Sequence, residues 1–243
     1  MISKNQQKRL RALGQKKQRK LLGQFLVQGE KNVLELLASH LNVEQIFATP
    51  EFMACHSDKL QSYPVTEADE ATLSKLSTIT SNNAAIAIVE IPKPQTLPNS
   101  GIILALDGVA DPGNLGTIIR LADWYGVKHI VCSQDSADAY NPKTISATMG
   151  SFARISVTTT DLTEFLANAN LPIYGAYLGG QSVHQSQFKQ DAILLMGSES
   201  HGIRAEAGQF VTNKITIPSF GQAESLNVAM ATGIILDNIK RAG

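Results

Sequence analysis

The sequence has few cysteines and no long apolar run, and both absences exclude whole classes of protein. Cys55 and Cys132 are its only cysteines, so we expect neither a disulfide framework nor a zinc site, as is typical of a reducing cytoplasm. No apolar stretch reaches the roughly 18 residues of a membrane span. The basic N-terminus lacks the apolar core of a signal peptide. We therefore expect a cytoplasmic protein with no membrane partner.

Several catalytic and phosphate-binding motifs are also missing. There is no GxGxxG after a predicted strand and no GxxxxGK[ST], which disfavours a dinucleotide or a nucleoside triphosphate. There is no GxSxG and no cluster of His, Asp and Cys, so no hydrolase is indicated. A ligand with an adenine and apolar surface but no phosphate fits better.

The net charge is zero, yet the basic residues are concentrated at one end. Residues 1–20 contain eight basic side chains and no Asp or Glu. Such a segment attracts phosphate backbones, and we predict RNA contact through it, although a solvated helical face or a disordered tail would have the same composition. The candidate RNA-binding residues are Lys4, Lys8, Arg9, Arg11, Lys16, Lys17, Arg19 and Lys20.

The chain divides into two predicted domains. Residues 1–95 alternate between short helices and strands and form a small α/β unit, and the segment 92–101 at its end contains three prolines and is a predicted linker. Residues 101–243 alternate strands and helices more strongly, which predicts a parallel sheet covered on both faces. Ligands of such sheets bind beyond the carboxyl ends of the strands.

One loop of the second domain runs from the predicted strand 102–106 into a helix over 115–125. We expect Asn114 to be the N-cap of that helix. Arg120 lies off the apolar stripe of the helix, so it can face a cleft and bind a phosphate or a hydroxyl. The alternative is a surface arginine that pairs with Asp123.

Two further loops follow predicted strands. After the strand 192–196, Gly197 would let a ligand approach the main chain closely, and Glu199 could pair with Arg120 or a ligand. The alternative is a plain turn. After the strand 214–217, Ser225 and Asn227 stand at the start of an apolar helix, where polar side chains are costly unless hydrogen-bonded or used. Ser225 could alternatively be a simple helix cap.

These three loops resemble, in order and spacing, the three motifs of the SpoU/TrmH family of RNA ribose 2′-O-methyltransferases in the SPOUT class. The first motif is residues 111–120 (Asp-Pro-Gly-Asn-Leu-Gly-Thr-Ile-Ile-Arg), and the second is 196–203 (Met-Gly-Ser-Glu-Ser-His-Gly-Ile). The third runs from Ile217-Pro218 to the Ser-Leu-Asn-Val-Ala of 225–229. More weakly, residues 1–95 resemble the L30e-like substrate-binding domain that precedes the catalytic domain in many members.

The resemblance implies a fold, a cofactor and partners. The fold would be an α/β sheet with a C-terminal trefoil knot, and the protein would be a homodimer that acts on structured RNA, ribosomal or transfer. S-adenosylmethionine would bind without a metal. By resemblance, main-chain groups of Met196, Gly197, Ile217 and Leu226 would hold the cofactor, and Ser225 and Asn227 are further candidate cofactor-binding residues.

For such a methyl transfer we expect five residues to have catalytic roles. Arg120 would bind the phosphate and the ribose 2′-hydroxyl and lower the pKa of that hydroxyl, because an arginine is a poor base. Asn114 would orient the ribose or the Arg120 loop, and Glu199 would hold Arg120 or its loop. Ser225 and Asn227 would position the hydroxyl and the methionine end of the cofactor. The alternatives are a non-enzymatic RNA-binding protein of the same fold and a methyltransferase that acts on a base.

Overall fold

The computed structural model describes residues 2–79, 81–96 and 100–241, which form two compact units. The first consists of Met1–Lys93 and Asp138–Ala153, and the second of Pro94–Ala137 and Arg154–Gly243. Asp138–Ala153 therefore packs with the N-terminal unit, whereas the sequence-based division assigns it to the contiguous domain 101–243.

The first unit is built on a mixed four-stranded sheet in the order β1-β4-β2-β3. Strand β4 is antiparallel to both β1 and β2, and β3 runs parallel to β2. The strands are β1 (Gln24–Gln28), β2 (Val43–Ala48), β3 (Val65–Glu67) and β4 (Ala85–Glu90). The helices before the second unit are α1 (Lys4–Leu13), α2 (Lys16–Leu22), α3 (Glu30–Leu37), α4 (Pro50–Cys55), α5 (Ser57–Leu60) and α6 (Glu70–Leu76).

The basic N-terminal segment is folded and forms two helices. A capping box between Ser3 and Gln6 starts α1, and the chain turns at Gly14 before α2. Leu10 and Leu13 of α1 are fully buried in an apolar cluster with residues of β1, β2 and β4. The alternative of a disordered tail is therefore wrong, because the apolar face of α1 is part of the core.

The second unit is built on a six-stranded sheet in the order β10-β8-β9-β5-β6-β7, and every pairing in it is parallel. This confirms the predicted parallel α/β sheet. The strands are β5 (Ile102–Asp107), β6 (His129–Cys132), β7 (Ser156–Thr159), β8 (Ile173–Ser182), β9 (Ala192–Gly197) and β10 (Asn213–Thr216). The helices of this unit are α7 (Pro112–Trp124), α9 (Leu162–Ala167), α10 (Ala205–Gly208) and α11 (Val228–Arg241).

Both faces of the parallel sheet are covered, as the alternation of elements predicts. Leu104 and Leu106 of β5 belong to the cluster that includes α7 and α11, whereas Ile103 and Ala105 belong to the cluster that includes α9. Successive residues of a strand point to opposite faces. All four side chains are therefore buried, and the loops at the carboxyl ends of the strands remain available for a site.

The segment Asp138–Ala153 carries helix α8 (Pro142–Thr148) and completes the core of the first unit. Ile145 is buried with Phe25 of β1, and the ring centroids of Phe25 and Tyr140 are 4.8 Å apart. Such aromatic contacts bury large apolar areas. This explains why the segment folds with the N-terminal sheet.

Candidate active site

The structure brings together the three predicted loops of the second unit. They follow β5, β9 and β10, and a chain of side-chain hydrogen bonds joins one residue of each. Asn114 Nδ2 donates to Glu199 Oε1, and Asn227 Nδ2 donates to Asn114 Oδ1 at 3.0 Å. Because the amide of Asn114 uses both its donor and its acceptor, its orientation is fixed.

The first loop enters α7 through Asp111, whose side chain accepts from the main-chain nitrogen of Asn114 at 2.9 Å. The prediction that Asn114 caps this helix is therefore wrong, since Asp111 followed by Pro112 fills the cap and the first helical position. Asn114 lies in the first turn, and its side chain is left for Glu199 and Asn227.

Asn227 also begins the last helix. Its Oδ1 accepts from the main-chain nitrogens of Ala229 at 3.0 Å and Met230 at 3.3 Å. One side chain thus satisfies unpaired donors at the start of α11 and reaches the first loop with its Nδ2. Ser225 is exposed and does not cap the helix, so that alternative is excluded.

Arg120 is exposed on α7, and it has no hydrogen-bond or ion-pair partner within the described ranges 2–79, 81–96 and 100–241. Asp123, its alternative partner, instead binds Arg154 at 2.8 Å. Glu199 is bound to Asn114 rather than to Arg120. The guanidinium group of Arg120 therefore keeps its donors available for a ligand.

The predicted cofactor residues lie at the end of β9 (Met196 and Gly197), just after β10 (Ile217) and directly before α11 (Ser225, Leu226 and Asn227). Met196 is buried, Ile217 is half-buried and Leu226 is half exposed at 50%. Gly197 is required by the fold itself, because a Cβ there would lie 2.0 Å from the main-chain carbon of Gly202.

These groups suit S-adenosylmethionine. Exposed apolar surface at Leu226 and main-chain polar groups can contact an adenosine, and the cofactor candidates include no cationic side chain that would repel a sulfonium. The carboxylate of Glu199 supplies a negative charge beside the same loops.

Sequence reasoning missed a second network beside these loops. Arg204 donates to Asp107 from its main-chain nitrogen at 2.8 Å and from Nε at 2.8 Å, and it binds Asp135 through Nη1 at 3.0 Å. The pKa of Asp135 is lowered by a hydrogen bond from Ser133 and by Arg204, while these carboxylates raise the pKa of Arg204. An Asp that ends an apolar strand was the available signal, because a charge there needs a partner.

An open pocket of about 330 Å³ lies at the carboxyl ends of β5, β6 and β7. Asp107 and Arg204 line it together with Asp135, Thr160 and Asp161. Arg120 and Glu199 do not belong to its lining, so this pocket is separate from the predicted catalytic residues.

Two of the eight candidate RNA-binding residues have structural partners. Arg19 is only 2% exposed, and it donates to the carbonyls of Leu13 and Gly14 and forms an ion pair with Asp138 at 2.6 Å. Arg9 pairs with Glu44 at 2.6 Å. Arg19 therefore cannot reach a phosphate, because its side chain is enclosed by the first unit. The remaining six are exposed: Lys4, Lys8, Arg11, Lys16, Lys17 and Lys20.

The described part of the chain also bears on metal binding and membrane crossing. There, no group of three or more His, Cys, Asp or Glu side chains is arranged to hold a metal ion. Within the same ranges, no helix combines the length and the apolar character that a membrane crossing requires.

Comparison with known proteins identifies the family. Residues 101–237 match the SpoU rRNA Methylase family, and residues 4–87 match the MRM3-like substrate binding domain. The chain is 32% identical to the 23S rRNA (guanosine(2553)-2′-O)-methyltransferase RlmP of Bacillus subtilis, over 98% of this chain and 97% of that protein. It is 33% identical to the 23S rRNA (guanosine-2′-O-)-methyltransferase RlmB of Pseudomonas aeruginosa, over 58% of each.

Solved structures agree with these relatives. A protein of the TrmH family from Porphyromonas gingivalis superposes with a TM-score of 0.89 and 35% identity over 100% of both chains. An AdoMet-bound rRNA methyltransferase from Sinorhizobium meliloti gives a TM-score of 0.88 and 29% identity, over 99% of this chain and 97% of that one. With an all-parallel α/β sheet, three joined motif loops and a match over more than half of its length, this chain belongs to the SpoU rRNA methylase family.

Proposed function

We propose that this chain methylates the ribose 2′-hydroxyl of a guanosine in 23S rRNA, with S-adenosylmethionine as the donor. One observation carries the proposal. The hydrogen-bonded side chains of Glu199, Asn114 and Asn227 join the three loops, and Arg120 lies without a partner in the described ranges on α7, the helix that follows the first loop. The names of the RlmP and RlmB relatives specify the 2′-oxygen of a guanosine in 23S rRNA, which favours this substrate over transfer RNA.

The cofactor supplies an activated methyl group on a sulfonium. Met196, Gly197, Ile217 and Leu226 would hold it with main-chain and apolar groups. The protein then has two remaining tasks, which are to orient the hydroxyl in line with the methyl group and to stabilise the charge that develops on its oxygen.

Arg120 performs the second task. Its five donors fit a phosphate and an adjacent hydroxyl at the same time, and its positive charge favours the ionised hydroxyl. An arginine stays protonated at neutral pH, so it does not remove the proton. The proton passes to the bound phosphate oxygen or to a water.

Four polar residues orient the reactants. Asn114, whose amide is fixed by Glu199 and Asn227, holds the first turn of α7 and through it the helix that carries Arg120. Ser225, which is exposed beside Asn227, directs its hydroxyl to the ribose, and Asn227 fixes the methionine end of the cofactor pocket.

The substitution Arg120→Ala tests the mechanism. We expect methyl transfer to fall by about 100-fold or more, because one charge-stabilising group is lost, while cofactor affinity measured by calorimetry stays unchanged. Lys128→Ala is the control, since Lys128 is an exposed cation of the same unit. Turnover of the Arg120 variant close to that of the control would contradict the assigned role.

The same measurements separate the alternatives. A non-enzymatic RNA-binding protein would bind RNA but not S-adenosylmethionine. A base methyltransferase would give a product whose methyl group lies on a nucleobase, whereas ribose methylation blocks alkaline cleavage at the modified nucleotide. Loss of one 2′-O-methyl mark from the 23S rRNA of cells lacking the protein would identify the target.

The proposal also covers domains, assembly and location. Residues 1–95 would bind substrate RNA, and residues 101–243 would carry the chemistry within a C-terminal knot. We infer a homodimer, because Trp124 on α7 and Met230 on α11 are 82% and 62% exposed on two helices that pack together. A cytoplasmic location follows from a ribosomal RNA substrate.

A further inference from the structure

Arg204 directly follows the second motif and binds Asp107 at the end of strand β5. Its main-chain nitrogen and its Nε each bind the carboxylate of Asp107 at 2.8 Å, and Nη2 binds the same group. Asp107 is the last residue of β5 and the register partner of Gly197 on β9. The C-terminal end of the loop 198–203 is thus hydrogen-bonded to Asp107, which lies beside Gly197, the residue before the loop.

The burial of Asp107 makes its ion pair with Arg204 costly to break. Asp107 is 1% exposed, and a carboxylate in such a place requires a charged partner with good geometry. Arg204 gives it three donors: Nε and Nη2 both donate to Oδ1, and the main-chain nitrogen donates to Oδ2, so both carboxylate oxygens are held. A lysine has the charge but lacks this pair of rigidly linked donors.

The loop between the two ends is closed tightly. Ser198 and Gly202 exchange main-chain hydrogen bonds of 3.1 and 3.0 Å, and the main chain of Gly202 and Ile203 fills the space where a Cβ of Gly197 would be. Any loosening of the loop at Arg204 therefore moves the main chain that covers Gly197.

Asp135 connects Arg204 to the end of the neighbouring strand β6. It lies just beyond β6 and binds the outer side of the Arg204 guanidinium at 3.0 and 3.2 Å. Gly108, which begins the first motif loop, donates its main-chain nitrogen to Ser133 Oγ at 2.9 Å. The ends of β5, β6 and β9 are in this way held in one network.

We propose that Arg204 is a positioning residue for methyl transfer, which fixes the loop 198–203 and so presents the main chain of Met196 and Gly197 to the cofactor. This inference rests on the proposed function, because it assumes that S-adenosylmethionine binds at those residues. Arg204 does not itself touch the reactants, since both sides of its guanidinium are occupied by Asp107 and Asp135.

The substitution Arg204→Ala in the full chain tests the inference. We expect S-adenosylmethionine to bind at least tenfold more weakly by calorimetry, and amide hydrogens of residues 198–203 to exchange faster without cofactor. Arg204→Lys should recover only part of the affinity. Asp135→Asn keeps the buried pair with Asp107, so it serves if the alanine variant does not fold, and it should weaken binding about threefold.

Arg154→Ala is the matched control, because Arg154 is an arginine of the same unit with a similar exposure, 43% against 44%, and its ion pair with Asp123 does not involve the loop. The control should leave the affinity unchanged even if its melting temperature falls. Equal affinities of wild type, Arg204→Lys and Asp135→Asn, with unchanged exchange in 198–203, would overturn the inference. Absence of cofactor binding by the wild type would overturn the proposed function instead, while the exchange measurement would still decide the role of Arg204.

Discussion

At the scale of single residues, Gly197 is the described glycine at which an added Cβ would approach main-chain atoms most closely. Its missing side chain leaves room for the main chain of Gly202 and Ile203, which would lie 2.0 to 2.4 Å from a Cβ. A clash with main-chain atoms cannot be relieved by turning a side chain. The glycine thus serves the closed loop first and any ligand second.

We expect Gly197→Ala to lower the free energy of unfolding by about 2 kcal/mol or more, as overpacking does, and to weaken cofactor binding. Gly221→Ala is the control in the third motif, because a Cβ there meets nothing within 4 Å. Denaturant unfolding and calorimetry measure the two effects. Equal stability of the two variants would contradict this account of Gly197.

The buried thiol of Cys132 is expected to lower the stability of the folded protein at alkaline pH. Complete burial raises the pKa of its thiol to about 12. The folded state therefore keeps this proton when the unfolded chain, with an ordinary thiol pKa near 8.5, has lost it. Since the folded-state pKa is the higher one, its contribution to stability is present below about pH 8.5 and is lost as the pH rises towards 12.

Between pH 8 and 10.5 this thiol should remove about 2.5 kcal/mol of stability. Cys132→Ala should flatten that part of the profile, whereas Cys55→Ala should not, because Cys55 is exposed. Denaturant unfolding at a series of pH values checks the slopes. Parallel profiles for the two variants would show that the thiol of Cys132 is not the cause.

At the scale of elements, α1 and α2 combine a core face with a basic face. Leu10 and Leu13 are buried on one side, and Lys8, Lys16 and Lys17 are exposed. Arg19 is enclosed and holds the turn between the helices to Asp138. Deleting residues 1–20 would therefore remove core as well as charge, so substitutions of exposed lysines are the proper test of RNA binding.

We expect Lys16→Ala with Lys17→Ala to weaken RNA binding and to reduce its salt dependence, because fewer counterions are released. The paired control is Lys59→Ala with Lys75→Ala, two exposed lysines on α5 and α6 of the same unit. Filter binding at several salt concentrations measures both slopes. If the two double variants lose affinity equally, the contact is general to the unit and not specific to α2.

The element boundaries show how far local pattern reaches. The apolar stripe of α7 and the strands β5 and β9 are confirmed within a few residues, because burial on both faces leaves a strong apolar signal. The predicted cap of α7 was wrong by three residues: Asp111 caps the helix, and Pro112 at the first helical position was the local signal for it, whereas the side chain of Asn114 binds Glu199 and Asn227.

At the scale of the whole molecule, the inferred homodimer can be tested on α7. Trp124 is 82% exposed, and such a surface on a packed helix pair favours a second copy. We expect light scattering to give twice the mass of one chain, and Trp124→Glu to give a single chain. Leu21→Glu is the control, because Leu21 is 74% exposed on α2 of the other unit. A wild type with the mass of one chain at every concentration would contradict the dimer.

The sequence by itself determined the family, the parallel sheet and the residues that the three loops contribute, because strands buried on both faces and motifs at their ends leave strong local signals. Only the tertiary structure decided which of those residues are free. It paired Asn114 with Glu199 and Asn227, left Arg120 without a partner in the described ranges, and enclosed Arg19. In the structure, Arg204 also binds Asp107, and Asp138–Ala153 belongs to the first unit. These pairings depend on distances between segments far apart in the chain, and no local pattern encodes such distances.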